Sequence, residues 1–129
     1  MKTLVHFATE TGEWAVPIER VQEVRLAAGI IPLPAAKPGI AGLLRRGDEV
    51  IPVLALLGAG AGHVLVIDGD GERYGLLAAT AIGILRVEED EIGAPPNGQE
   101  DPVVSGVIRA AAGRTILLLD ADELYRVSR

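Results

Sequence analysis

Apolar residues fall in short runs broken by Gly, Pro, Asp and Glu, and the runs favour the period of two that marks strands over the 3.6 of helices. Residues 4–9 and 13–18 flank Glu10-Thr11-Gly12, which reads as a hairpin turn. Residues 63–67 and 73–78 flank Asp68-Gly69-Asp70-Gly71, a stronger signal, because Asp-Gly suits the left-handed positions of a type I′ turn. Residues 103–109 and 114–119 form a third pair, with Gly113 in the turn. Residues 50–57 form an apolar run, as in a strand buried on both faces. Helix is scarce. Asp120 precedes Ala-Asp-Glu123-Leu-Tyr, a capping-box spacing with Asp120 as N-cap and Glu123 reaching back. Over residues 17–24 a single helical turn competes with a strand, because Val-Gln-Glu-Val suits either.

The pattern repeats. Pro38-Gly-Ile-Ala-Gly-Leu-Leu-Arg45 matches Pro102-Val-Val-Ser-Gly-Val-Ile-Arg109, with Gly42 on Gly106 and Arg45 on Arg109. Each segment leads through a turn into a core strand, Val50-Ile-Pro-Val-Leu or Ile116-Leu-Leu-Leu. Upstream, Gly12-Glu-Trp-Ala-Val-Pro matches Gly71-Glu-Arg-Tyr-Gly-Leu-Leu, so Trp14 and Tyr74 share a position and read as core. The spacing of Val21 and Val24 returns in Ala81 and Ile84. Proline-rich links, Pro32, Pro34 and Pro38 in one half and Pro95, Pro96 and Pro102 in the other, follow at the same stage. The expectation is an all-β chain. It has two tandem small barrels, residues 1–62 and 63–129, packed side by side, with terminal strands free to exchange, and a short C-terminal helix. A unit of about 60 residues alone buries too little surface for comfortable stability, so the two should share a core and leave a groove between them.

Composition sharpens this picture. The 129 residues are 49% apolar with four aromatic side chains, Phe7, Trp14, Tyr74 and Tyr125, and a mean hydropathy of +0.32. That hydropathy raises the question of a membrane span. The longest uncharged run, residues 50–67, contains Pro52, Gly58, Gly60, Gly62 and His63. Each glycine would weaken a helix by about 1 kcal/mol relative to alanine, so two strands joined by Gly58-Ala-Gly-Ala-Gly62 are expected instead. Residues 1–6 carry one positive charge and no long apolar stretch, unlike a secretory signal, and the expected location is cytoplasmic, with no direct membrane insertion. With no cysteine, the chain has no disulfide, thiolate metal site or cysteine nucleophile. A net charge of -6 disfavours nucleic acid, whose phosphates need a basic face. Residues 1–62 balance six Lys/Arg with six Asp/Glu, so all the excess negative charge lies in residues 63–129.

Candidate chemistry is thin. His6 and His63 lie in or beside predicted strands with no serine or carboxylate motif nearby in sequence. Asp68-Gly-Asp-Gly-Glu72 resembles a calcium loop only in its start, without the oxygen ligand at position five or the distal Glu. The glycines at 58, 60 and 62 miss the dinucleotide fingerprint, and neither Ser105 nor Ser128 sits in a nucleophile elbow. The residues therefore assign no catalytic centre, cofactor or metal. Val21 and Val24 are expected to face inward, leaving Glu23 and Arg25 for solvent or a partner. Arg45-Arg46-Gly47-Asp48 places two cations at a strand end beside a turn, open either to solvent or to a partner.

Over essentially its whole length the sequence resembles the CheW family of bacterial chemotaxis coupling adaptors. The resemblance rests on Trp14-Ala-Val-Pro-Ile-Glu-Arg-Val-Gln-Glu-Val-Arg25, Ile40-Ala-Gly-Leu-Leu, Val50-Ile-Pro-Val, Tyr74-Gly-Leu-Leu, Val104-Ser-Gly-Val and Thr115-Ile-Leu-Leu-Leu-Asp, in that order. It implies two five-stranded SH3-like barrels and a non-catalytic adaptor bridging a CheA-type histidine kinase, through its regulatory domain, to the cytoplasmic tips of chemoreceptors. The partner-binding residues it suggests, together with the repeat, are Val21, Glu23, Val24, Arg25, Arg45, Arg46, Gly47 and Ile84. Three positions depart from the family pattern. The usual turn arginine is Gly47, with Arg46 one step early, and two family aspartates are Ala55 and Ala79. An interaction module of the same fold in another signalling pathway is the alternative these departures motivate. A small ligand- or metal-binding barrel, built on His6, His63 or residues 68–72, is a more distant one.

Overall fold

A computed structural model describes residues 1–33, 37–58, 62–95 and 101–128. The chain runs through β1 (Lys2–Thr9), β2 (Gly12–Pro17), β3 (Val21–Leu26), β4 (Ile40–Arg46), β5 (Glu49–Leu54), β6 (His63–Gly69), β7 (Glu72–Ala78), β8 (Thr80–Val87), β9 (Ile92–Gly93), β10 (Val104–Arg109) and β11 (Thr115–Leu119), then α1 (Ala121–Ser128). The strands form two sheets, ordered β8-β1-β2-β11-β10-β9 and β3-β6-β7-β5-β4. One sheet thus has the expected five strands. The other gains a sixth, β9, whose two residues pair with Val107 and Ile108.

Local chemistry sets the hairpins. Asp70 and Gly71, at φ 52° and 75°, form the two-residue loop between paired Gly69 and Glu72, as the Asp-Gly signal predicts. Gly47, at φ 60°, takes the first central position of the loop joining Arg46 to Glu49, where a type II′ turn places glycine. Over residues 17–24 both sequence readings hold in part: a 3₁₀ turn, Ile18–Arg20, leads directly into β3. The run over 50–57 is shorter and less buried than expected. β5 stops at Leu54, and Val50 is 51% exposed, because it lies opposite exposed Arg45 on the outward face of the sheet. The predicted loop 58–62 falls partly outside the described residues, as do Pro34 and Pro96.

The repeat has a structural counterpart. Read position by position, the two sheet orders match β8 with β3, β1 with β6, β2 with β7, β11 with β5 and β10 with β4, and the β2–β11 and β7–β5 pairs are both parallel. Sheet membership crosses residue 62 in both directions: β1 and β2 join strands of the second half, and β6 and β7 join strands of the first. The matched glycines sit at matched irregularities, with register shifts at Ile40/Gly42 and at Val104/Gly106. A side chain at Gly42 would run into the Ile31 backbone carbonyl, and one at Gly106 into the Ile92 side chain. Each glycine therefore lets a neighbouring segment close against the sheet edge.

The core has three parts. One cluster, including Leu4, Ile108 and Ile116, belongs to the six-stranded sheet, and another, including Leu44, Val53 and Val66, to the five-stranded one. The largest lies between them and draws Phe7, Trp14 and Val16 from one sheet and Leu65, Ile67, Tyr74 and Leu76 from the other. The apolar excess therefore fills two barrel cores and a seam. No helix among the described residues is long and apolar enough to cross a membrane.

α1 closes the seam. Asp120 caps it as predicted, its Oδ1 accepting from the Asp122 and Glu123 amides at 3.1 and 3.0 Å. Glu123 does not reach back. Its carboxylate pairs with Arg126, and the Asp120 amide it would have satisfied donates to the Val103 carbonyl at 2.8 Å.

Candidate functional site

β3 and β8 hold matching places, each at one end of its sheet and, among the described residues, with a hydrogen-bonded strand on one side only. Each carries one extra residue: the register shifts between Val21 and Glu23 in β3, and Ala81 and Gly83 pair with successive residues of β1, leaving Ile82 out. Such bulges break the ladder and re-aim side chains. Residues opposite each other in a ladder share a face. Val21 lies opposite Ile67, Val24 opposite Leu65, Ala81 opposite Phe7 and Ile84 opposite Val5. All four partners belong to the central cluster, so both edges turn apolar side chains toward the seam. Val21 packs against that cluster, whereas Val24 and Ile84 stay 42% and 54% exposed at its rim. The expectation that Val24 faces inward thus holds for its direction and not for its burial, because among the described residues no strand lies beyond β3 to cover it. The two edges meet at His63, which pairs with Leu26 of β3 while its Nδ1 accepts the Ala81 amide of β8 at 3.2 Å.

The opposite face of β3 is polar. Glu23 and Arg25 lie opposite Val66 and Val64 of the five-stranded sheet's own core, and their charged ends emerge at its open edge. Arg46 Nε donates to Glu23 Oε1 and Arg46 Nη1 to Glu49 Oε1, both at 3.0 Å. Arg73 donates to Glu49 Oε2 at 3.1 Å and to Asp68 Oδ1 at 2.9 Å, and Arg25 lies 3.6 Å from Glu23. Pairs this exposed are worth about 0–1 kcal/mol each. Their main effect is to fix the orientation of three arginines and three carboxylates. Glu23, Arg25, Arg46, Gly47, Glu49 and Arg73 line a shallow cleft of about 430 Å³.

The eight sequence-suggested residues therefore separate. Val21, Val24 and Ile84 lie along the seam, and Glu23, Arg25, Arg46 and Gly47 along the charged cleft behind β3. Arg45 stands apart on the outward face of β4, with no ion pair among the described residues. Sequence reading missed Leu26 and Ile82, which are 71% and 50% exposed, and the carboxylate of Glu49. It also missed the partner of His6. The β1–β2 ladder brings Glu13 to the same face, with Oε1 2.9 Å from His6 Nε2, and Arg114 closes on Glu13 from β10–β11. The Arg114 hydrogen bond holds the Glu13 carboxyl below its ordinary value. The two aspartates of the calcium-like loop are likewise engaged, Asp68 with Arg73 and Gln22, Asp70 with Arg126.

At the start of β3, Asp122 of α1 takes Arg20 in a two-pronged ion pair, at 2.7 and 3.0 Å, and accepts the Asp70 amide at 2.6 Å. The Arg20 guanidinium, then the Asp70 amide, pull the Asp122 carboxyl down to a pKa of about 2. A carboxyl depressed in the folded state stabilises fully above its unfolded value, near 4, and loses that contribution as pH falls toward the folded value. The stacked Tyr74–Tyr125 rings, 5.6 Å apart, report on the seat of α1. Their near-ultraviolet dichroism is expected to hold steady above about pH 4 and to decline between about pH 4 and pH 2, and Asp122→Asn to remove that step.

Comparison with known proteins supports the fold. None of the curated proteins matches the chain. Among solved structures, the crystal structure of the scaffolding protein TtCheW from Thermoanaerobacter tengcongensis superposes with a TM-score of 0.85 at 20% identity, covering 96% of this chain and 87% of that one. At that identity the likeness establishes the fold, two SH3-like barrels side by side. The CheW-like domain family matches residues 3–129, nearly the whole chain. The chain belongs to the CheW-like domain family.

Proposed function

We propose that this chain is a non-catalytic cytoplasmic adaptor that couples chemoreceptors to a CheA-type histidine kinase. The observation that carries this reading is the pair of bulged edge strands, with Val24 and Ile84 exposed on the seam side. A bulged edge is a poor template for adding a partner strand, because its row of amides and carbonyls is interrupted. Apolar side chains flanking a seam instead suit an amphipathic helix laid along it. The cytoplasmic tip of a chemoreceptor, a helical hairpin, is the occupant proposed. The kinase regulatory domain is proposed to pack against a barrel end, with Glu23, Arg25, Arg46 and the Gly47 turn at its rim. Charges there set partner choice and encounter rate more than affinity.

Binding to each partner separately tests the reading. The purified, folded chain is expected to bind both a receptor cytoplasmic tip and a kinase regulatory domain in pull-down. Binding to neither, with native circular dichroism retained, would sink the adaptor role.

A further inference from the structure

The 3₁₀ turn Ile18–Arg20 buries none of its residues and has no side-chain cap, yet it sets where β3 begins. Its position rests on Arg20. Besides the two bonds to Asp122, Arg20 Nη1 donates to the Asp68 backbone carbonyl at 3.1 Å. The Asp122 carboxylate also accepts the Asp70 amide. One carboxylate on α1 thus joins three segments: the start of β3, the β6–β7 turn, and the C-terminal helix. Gln22, the next residue but one, adds a bond to Asp68 Oδ2 at 2.5 Å. These side-chain ties fall where the backbone ladder is weakest. Among the described residues β3 has only β6 beside it, and the register break lies between Val21 and Glu23. Glu23 resumes the regular ladder just beyond that break, and Val24 follows it. Any shift of the 3₁₀ turn passes through the irregular part of the strand to the exposed apolar rim.

We infer that Asp122 is a positioning residue for the β3 edge, so that α1 sets the geometry of the Val24 rim through Arg20. The value of that edge to a partner rests on the adaptor reading, whereas the mechanical coupling does not.

Hydrogen exchange of the full-length chain, followed by mass spectrometry, tests the coupling. Asp122→Ala is expected to speed exchange over residues 18–26 by about tenfold or more, leaving β10 and β11 unchanged, as expected when local opening rather than global unfolding is affected. Asp122→Glu, which keeps the charge, is expected to restore the protection. Arg114→Ala is the control. It removes the two 3.0 Å bonds from Arg114 to the Glu13 carboxylate, an ion pair that does not involve α1, while sparing the Arg20–Asp122 pair. It is expected to leave residues 18–26 alone. Wild-type exchange over 18–26 in Asp122→Ala, or an equal rise there in Arg114→Ala, would overturn the proposal. Receptor-tip binding separates the two readings. If Val24→Glu abolishes binding and Asp122→Ala leaves it untouched, positioning fails and the adaptor reading stands. If the wild-type chain binds no tip, the adaptor reading fails and the exchange result still decides the coupling.

Discussion

Val24→Glu is expected to weaken binding of a helical receptor tip by about 100-fold or more, and Ile84→Glu to do the same. Both side chains are about half exposed at the rim of the seam, so a carboxylate at either position stays hydrated in the free protein and the fold is retained. The penalty arises on binding. An unpaired carboxylate trapped under an apolar helix face costs several kcal/mol, and about 2.8 kcal/mol is already a hundredfold in affinity. Val50→Glu is the matched control. Val50 is 51% exposed, comparable with Ile84, but it lies on β5 opposite Arg45, separated from β3 by β6 and β7. It is expected to bind the tip like wild type. Isothermal titration of the three variants decides the matter, and equal losses in all three would mean that surface charge, and not the seam, governs binding.

The largest effect on stability is expected from Phe7→Ala. Phe7 is fully buried in the central cluster, on β1 between β2 and β8. Removing such a ring forfeits its transfer energy and leaves a cavity, together about 3–5 kcal/mol. Domains of this kind have about 5–15 kcal/mol in all. The urea midpoint should fall sharply at unchanged slope, in one transition, because the cluster takes side chains from both sheets. Two separated transitions would show that each sheet folds on its own and that the seam contributes little.

How far the sequence discloses all this depends on the range of the interactions involved. The Asp70-Gly71 turn, the Asp120 cap and the β6–β7 hairpin are legible because their signals are local: a left-handed φ at an Asp-Gly pair, or a side chain that reaches its own helix. The repeat is legible because Gly42 and Gly106 each have a neighbour closing on the backbone, and only glycine fits there. β8 is harder to see. Its extra residue, Ile82, interrupts the period of two, and Gly83 removes a side chain from the pattern. β9 is too short to show any period. The clusters of charge are the least visible. Arg20 and Asp122 stand 102 positions apart, and His6 meets Glu13 only through the register of β1 on β2. The Val-Gln-Glu-Val segment shows the limit well. The pattern separates Val21 and Val24 from Glu23 and Arg25, yet Val24 is exposed and the two charged residues are partly covered, because exposure depends on the sheet order and not on the alternation alone.

The most direct test of the adaptor role asks for bridging rather than pairwise binding. Vesicles displaying chemoreceptor cytoplasmic tips are mixed with a CheA-type kinase, with and without this chain, and sedimented. The account predicts that the kinase enters the pellet in proportion to added chain and that Val24→Glu abolishes the effect. A chain that pellets with the receptors while the kinase stays in the supernatant at every concentration would contradict it.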